Sequence, residues 1–297
     1  MHDPRVVIFT DDPGWHGRAL TRAFAARGLA AVYRSLKDCR FDLATGAPRI
    51  VIDGFDGALP RGVFVRGVPG GTLEEITLRL DFLHCLALSG VTVFNSGHAI
   101  ERTVDKAMTS FRLAHRGLPT PRTWVCESAE VAQRIAAPLF EAGVALVVKP
   151  LFGSQGEGIQ RAENAAELTA VVPAGGVFYL QEYLSRGGPP FRDWRVLVID
   201  GVARFVMERI SAHWITNRAQ GARCVGAMLD PVLASLAEAA ATAVDVDYAG
   251  VDLMHDAAGR WCVGEVNGVP AWWGLAQATG QDVTGALVEA FCRRLTR

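Results

Sequence analysis

An α/β (α+β) fold is predicted by three observations. Residues 1–95 alternate short apolar runs with helical stripes, the pattern of a small α/β unit. Further on, apolar strands recur in pairs around turn-forming dipeptides. The chain has 297 residues, of which 50% are hydrophobic and 21% charged, so it can bury a large core in two or three units.

In chain order, RVVIFT (5–10) reads as a first strand and residues 15–27 as a helix stopped by Gly28. Strands follow over 29–34, 50–53 and 62–66. The segment from Thr72 to Ser89 is the clearest helix. Thr72 and Glu75 form a T-x-x-E capping box, and Leu73, Ile76, Leu80 and Leu83 recur at helical spacing. VTVF (91–94) then returns as a strand to Asn95. A second unit, 96–176, holds helices over 104–116 and 128–141, a Pro-rich turn at Leu118–Pro121, and the strand ALVVKP (145–150). A third, 177–297, opens on VFYLQEYL and contains a hairpin about Asp200-Gly201. An alanine-rich helix (230–244), the strand pair YAGVDLMH and RWCVGEVN, and a closing helix from 281 complete it.

Composition narrows the function. Thirty basic and 31 acidic residues give a net charge of −1. That balance predicts no long-range attraction to nucleic acid or an anionic membrane, though a local basic cleft is compatible with it. No apolar run approaches the ~20 residues that cross a bilayer. MHDPRVVIFTDD lacks the basic and long apolar regions of a secretion signal, so a cytoplasmic location is expected. The cysteines (39, 85, 126, 224, 262 and 292) form no Cys-x-x-Cys pair, which argues against a zinc site or a disulfide framework.

Four features carry chemistry. Lys149 ends a buried-looking strand and is followed by L-F-G-S-Q-G-E-G. Gly153, Gly156 and Gly158 allow backbone N–H groups to approach an anion, and the lysine offsets phosphate charge. The lysine precedes the glycines, unlike a P-loop; taken alone, such a loop is also what an ordinary turn looks like. Gln181-Glu182-Tyr183-Leu184 ends an apolar strand, where backbone groups can read an adenine edge; a solvated strand end looks the same. In D-W-R-V-L-V-I-D-G-V-A-R-F-V-M-E-R, Asp193 and Arg195 share a sheet face. Arg195 and Arg209 suit a phosphate or carboxylate, although a polar solvent face would show the same alternation. Finally, Asp252 lies in one strand and Glu265 and Asn267 in the next. Period-2 spacing puts the last two on one face, and hairpin pairing brings Asp252 beside them. Three oxygen donors amid Val251, Leu253, Val263 and Val266 suit a hard cation.

With these features in order, the sequence resembles the ATP-grasp superfamily, and the RimK-like amino-acid (α-L-glutamate) ligases in particular. The matching runs are VDKAMTSFRLAHRGLPTP, VVKPLFGSQGEGI, LQEYL, DWRVLVIDG and GVDLM…GEVNGVPAWWGL, spanning residues 95–285. The resemblance implies an ATP-grasp fold behind an N-terminal Rossmann-like pre-ATP-grasp domain (1–95), with a central subdomain (96–176) carrying the glycine-rich loop and a C-terminal subdomain (177–297) carrying the metal site. It implies that Lys106 and Lys149 contact ATP phosphates beneath the loop residues Gly153, Ser154, Gln155, Gly156 and Gly158. Gln181, Glu182, Tyr183 and Leu184 would line the adenine slot, Asp193 the ribose side, and Asn217 would face the nucleotide or metal. Asp252, Glu265 and Asn267 would hold Mg²⁺ or Mn²⁺, two ions being expected.

One departure stands out. Where many RimK-like proteins carry serine, proline and glycine after E-V-N, this chain has Gly268-Val269-Pro270-Ala271-Trp272-Trp273. The tryptophans are either core aromatics or the wall of an acceptor pocket. VFVRGVPGGTLEEITLRLDFLH also resembles a subgroup linked to tetrahydromethanopterin and one-carbon cofactor biosynthesis, which makes Arg66 a candidate substrate residue; a surface arginine at a strand end is the plain alternative.

The implied reaction is amide formation through an acylphosphate, with Lys149, Arg195 and Arg209 stabilising charge and no covalent nucleophile needed. The expected substrates are ATP, L-glutamate and a small carboxylate-bearing cofactor such as a pterin or furan one-carbon carrier; a homo-oligomer is compatible with the sequence. Two alternatives stand beside it: a RimK-type ligase extending a protein C-terminus, and an ATP-binding regulator without turnover.

Overall fold

The computed structural model describes residues 2–44, 49–184 and 188–295. The N-terminal part contains β1 (His2–Phe9), α1 (Gly14–Ala25), β2 (Ala31–Arg34), β3 (Cys39–Asp42), β4 (Arg49–Ile52), β5 (Leu59–Val65), α2 (Leu73–Leu88) and β6 (Thr92–Phe94). Four of these strands form a parallel sheet in the order β2-β1-β5-β6, and β3 pairs separately with β4. Along β1, Val6 and Ile8 enter one core cluster while Val7 and Phe9 enter another. Both faces are therefore covered, as parallel sheets require, and this is why RVVIFT is a continuous apolar run rather than an alternating one. Helix α2 starts at the Thr72–Glu75 capping box, with both reciprocal hydrogen bonds formed.

The middle of the chain contributes α3 (Gly97–Val104), α4 (Lys106–His115), β7 (Thr123–Cys126), α5 (Ala129–Glu141), β8 (Leu146–Lys149), β9 (Gln160–Ala162), α6 (Ala165–Ala170) and β10 (Phe178–Glu182). An antiparallel sheet runs β7-β10-β8-β9, so β10 joins the strands before it rather than those after it. The helix expected over 104–116 is α4, and a separate helix, α3, precedes it; the Asp105 side chain accepts hydrogen bonds from the N–H groups of Ala107 and Met108 and starts α4 anew.

The remainder is β11 (Phe191–Ile199), β12 (Val202–Ser211), β13 (Arg223–Gly226), α7 (Pro231–Val244), β14 (Tyr248–His255), β15 (Trp261–Asn267), α8 (Trp273–Thr279) and α9 (Val283–Leu295). Its antiparallel sheet runs β13-β12-β11-β14-β15. Asp200 and Gly201 both have positive φ (51° and 74°), the two-residue turn whose twist suits a hairpin. α7 covers one face of this sheet. α9 crosses back to the first sheet, where Val288 and Phe291 pack with Phe24 and Phe64. Asn95, fully buried, donates to the carbonyls of Tyr248 and Gly268 and accepts from the N–H of Tyr248, fastening the end of β6 to β14 and to the residue after β15. No helix among the described residues is long and apolar enough to cross a membrane.

Candidate active site

The sheet register assembles the site. In β11–β12, Asp193 stands opposite Arg209; in β11–β14, Arg195 stands opposite Asp252; in β14–β15, Asp252 stands opposite Glu265 and Gly250 opposite Asn267. Five of the six polar residues singled out in these strands thus belong to directly opposed pairs, and Asn267 lies two positions along from Glu265. A cleft of about 380 Å³ runs over four of them. It is lined by Lys106, Lys149, Arg195, Arg209, Glu265 and Asn267, by the loop residues Gly153, Ser154, Gln155 and Gly156, and by Asn217.

The glycine loop is built for close approach. Gly153, Gly156 and Gly158 all have positive φ. A Cβ on Gly156 would lie 2.8 Å from Ile215 Cγ2 and 2.9 Å from Asn217 Oδ1, so any side chain there would push the loop away from the 215–217 segment. Lys106 Nζ donates to the Gly153 carbonyl (2.7 Å) and lies 3.9 Å from Glu265 Oε1. Lys149 Nζ donates to Gln181 Oε1 (2.7 Å), and Gln181 is fixed in turn by donating to Thr123 Oγ1 and the Tyr179 hydroxyl. The buried Gln181 side chain therefore positions Lys149. Burial lowers the pKa of Lys149; the Glu265 carboxylate opposes that shift and the charge of Lys106 adds to it.

A second pocket of about 340 Å³ lies beside the first and is lined by Tyr183, Leu184, Asp193, Trp214, Thr216 and Met254 among others. Tyr183 meets Trp214 edge-on and carries the Arg161 guanidinium 4.1 Å from its ring centre. Flat apolar walls of this kind suit a planar base. Glu182 is held by Arg122 (2.8 Å).

Asp193 and Asp252 are both held by arginines. Asp193, placed by the sequence at the ribose, has its carboxylate engaged by both arms of the Arg209 guanidinium and by Thr216. Asp252, placed on the metal, accepts two hydrogen bonds of 2.6 Å from Arg195 and lies 2.9 Å from Arg209. Burial opposes ionisation of Asp252, but the two arginines hold its pKa below the usual carboxylate value. Asp252 is not among the cleft-lining residues, whereas Glu265 and Asn267 are. Asn267 turns its amide nitrogen to the Gly250 carbonyl (3.3 Å), so its oxygen points the other way. A carboxylate and an amide oxygen in an open cleft are the hard donors that a Mg²⁺ ion takes alongside phosphate oxygens, so these residues fit such an ion.

At the N-terminal end of the cleft the structure corrects one expectation and adds two residues. Trp272, expected at the acceptor wall, has no exposed surface. Its indole N–H donates to Thr284 and its ring packs near Phe64, so it cannot touch a substrate. Trp273 lines the cleft instead, with the Arg218 guanidinium 3.9 Å from its ring centre. Arg66 also lines the cleft, donating to the Pro270 carbonyl and lying 4.7 Å from the Trp272 ring. His16 and Arg218 were missed by sequence reasoning. His16 Nε2 accepts from the backbone N–H groups of both Trp272 and Trp273 (3.1 Å each), a contact across 256 residues of chain that no local pattern announces.

An imidazole that accepts at Nε2 must be neutral there. Burial, reinforced by the charges of Arg66 and Arg218, lowers the pKa of His16 from 6.5 to about 4. Its contribution to stability is complete above pH 6.5, where folded and unfolded states are both neutral, and is lost as pH falls through about 4. His16→Gln, which does not titrate, should flatten this part of a plot of Tm against pH. An unchanged slope would show that His16 is not held neutral.

Comparison with known proteins places this geometry. Residues 103–291 match the model of the RimK-like ATP-grasp domain. A tetrahydromethanopterin:α-L-glutamate ligase from Methanosarcina acetivorans is 28% identical, covering 95% of this chain and 97% of the relative. The protein of that name from Methanococcus maripaludis is 34% identical over 76% of this chain and 77% of the relative. Among solved structures, the ATP-grasp ligase PsnB, complexed with a minimal precursor, Mg and ADP, superposes with a TM-score of 0.74 at 21% identity, covering all of both chains.

Proposed function

The chain belongs to the RimK-like ATP-grasp family of ligases, and from that premise we propose that it joins L-glutamate to a small carboxylate-bearing cofactor of the pterin or furan type, consuming ATP. The observation that carries this reading is the cleft itself, which has a basic end with a glycine-rich loop and a second cationic end. Lys106, Lys149 and the glycine loop form the first; Arg66, Arg218 and neutral His16 beside Trp273 form the second. Guanidinium groups suit the carboxylates of glutamate and its acceptor, and an indole face suits a flat ring.

The chemistry follows from what each group can do. A carboxylate is a poor electrophile, so one of its oxygens first attacks the terminal phosphorus of ATP, forming an acylphosphate and releasing ADP. The amine of glutamate then attacks the acyl carbon and phosphate departs. Lys149 and Lys106 offset the negative charge of the transferring phosphoryl group. Asp252 and Asp193 hold the guanidinium groups of Arg195 and Arg209 in a fixed orientation at the cleft floor. Glu265 and Asn267 would hold Mg²⁺, which supplies charge neutralisation across the phosphates.

Purified protein with ATP, Mg²⁺, L-glutamate and a reduced pterin or furan carrier should release ADP and yield a product heavier by one glutamyl residue. ADP release only with a peptide acceptor would replace the small-molecule acceptor with a protein terminus. Nucleotide binding with no turnover on any acceptor would make the chain a regulator.

A further inference from the structure

Outside the cleft, one group of side chains among the described residues has the chemistry of a metal site. His84 lies on α2, and His98 and Glu101 lie three residues apart on α3, on one helical face. Glu101 reaches both rings, with Oε1 2.7 Å from His84 Nε2 and Oε2 3.1 Å from His98 Nδ1. The ring centres are 4.1 Å apart, and the three candidate ligand atoms all lie within 4.8 Å of one another. We propose that His84, His98 and Glu101 form a binding site for one zinc-type divalent ion, which clips α2 to α3.

The donor geometry supports this. Ligand bonds of ~2.0–2.1 Å in a tetrahedral site put donor atoms about 3.3 Å apart. Two of the separations here, 2.7 and 3.1 Å, lie just below that value and all lie within 4.8 Å, so rotamer adjustments admit the ion. Two imidazoles and one carboxylate favour Zn²⁺, and distinguish this site from the oxygen donors of the cleft, which suit Mg²⁺. Exposure grades across the site. The side chain of His84 is 20% exposed, that of Glu101 40% and that of His98 66%, leaving one side open to a water as the fourth ligand. The backbone also makes room for it. A Cβ on Gly97 would lie 2.6 Å from His84 Cε1, so only glycine lets that ring sit against the first turn of α3. A hydrogen-bonded helix contact needs one histidine; the second, largely in water, gains little from a lone surface ion pair but completes a three-ligand set. α3 runs directly into Asp105 and Lys106, so an ion here would steady the segment that carries a cleft lysine.

Zinc binding should be measured on the full chain after chelator treatment, with the cleft saturated by Mg·ADP. Calorimetry should show one zinc per chain with a Kd in the micromolar range or below, and Co²⁺ should give the visible bands of a four-coordinate N/O site without a thiolate band. His98→Ala, at an exposed position, and Glu101→Gln should each weaken binding at least tenfold, and zinc should raise Tm in the wild type but not in His98→Ala. Unchanged affinity in both variants, a thiolate band, or no saturable binding below millimolar zinc would overturn the site.

Discussion

Exchanging Glu265 for glutamine is expected to lower ADP release by about 10²–10³-fold, the range seen when one group stabilising transition-state charge is removed, with the fold intact. Glu265 is the carboxylate that the β14–β15 register turns into the cleft, 3.9 Å from Lys106, opposite Asp252. Glutamine keeps its shape and removes its charge. Because Asp252 already has its oxygens on two arginines, no other carboxylate of the trio faces the cleft to replace it. The deficit should therefore shrink as Mg²⁺ is raised, since a weakened ion site refills by mass action. A loss of only a few-fold, insensitive to Mg²⁺, would mean that Glu265 does not hold the ion.

Arg209→Met should cost about 3–5 kcal/mol of stability, as expected when one partner of a buried ion pair is removed. Arg209 is 3% exposed and touches both Asp193 and Asp252. Asp252 would keep Arg195, but Asp193, 4% exposed, would be left with the Thr216 hydroxyl, and burial, which already raises its pKa, would penalise its ionised form. Urea denaturation should show the drop. Combining Arg209→Met with Asp193→Leu should recover a large part of it, because an apolar pair replaces an uncompensated charge. A double variant as unstable as the sum of the singles would show that the two side chains are not coupled.

Strong local signals were legible in the sequence. The Thr72–Glu75 box starts α2, Asp200-Gly201 turns the β11–β12 hairpin, and YAGVDLMH is β14 from end to end. The shared face of Asp193 and Arg195 follows from strand alternation and holds in the register. Pairing between distant strands was less legible. Nothing near Phe178 says that β10 pairs back onto β7 and β8, or that α9 returns to the first sheet. The partners of Asp193 and Asp252 depend on which residues stand opposite across β11, so the mutual neutralisation of four charges emerges only once the sheet is assembled. The fate of the two tryptophans was similarly hidden. Adjacent residues diverge because α8 begins between them, sending Trp272 into the core and Trp273 into the cleft.

If ATP activates a carboxylate for attack by an amine, one oxygen atom must pass from that carboxylate to phosphate. With the acceptor carboxylate enriched in heavy oxygen, turnover with ATP and L-glutamate should place one labelled atom in the phosphate released per amide formed, because the acyl C–O bond breaks after phosphorylation. Unlabelled phosphate accompanying amide formation would contradict the acylphosphate route.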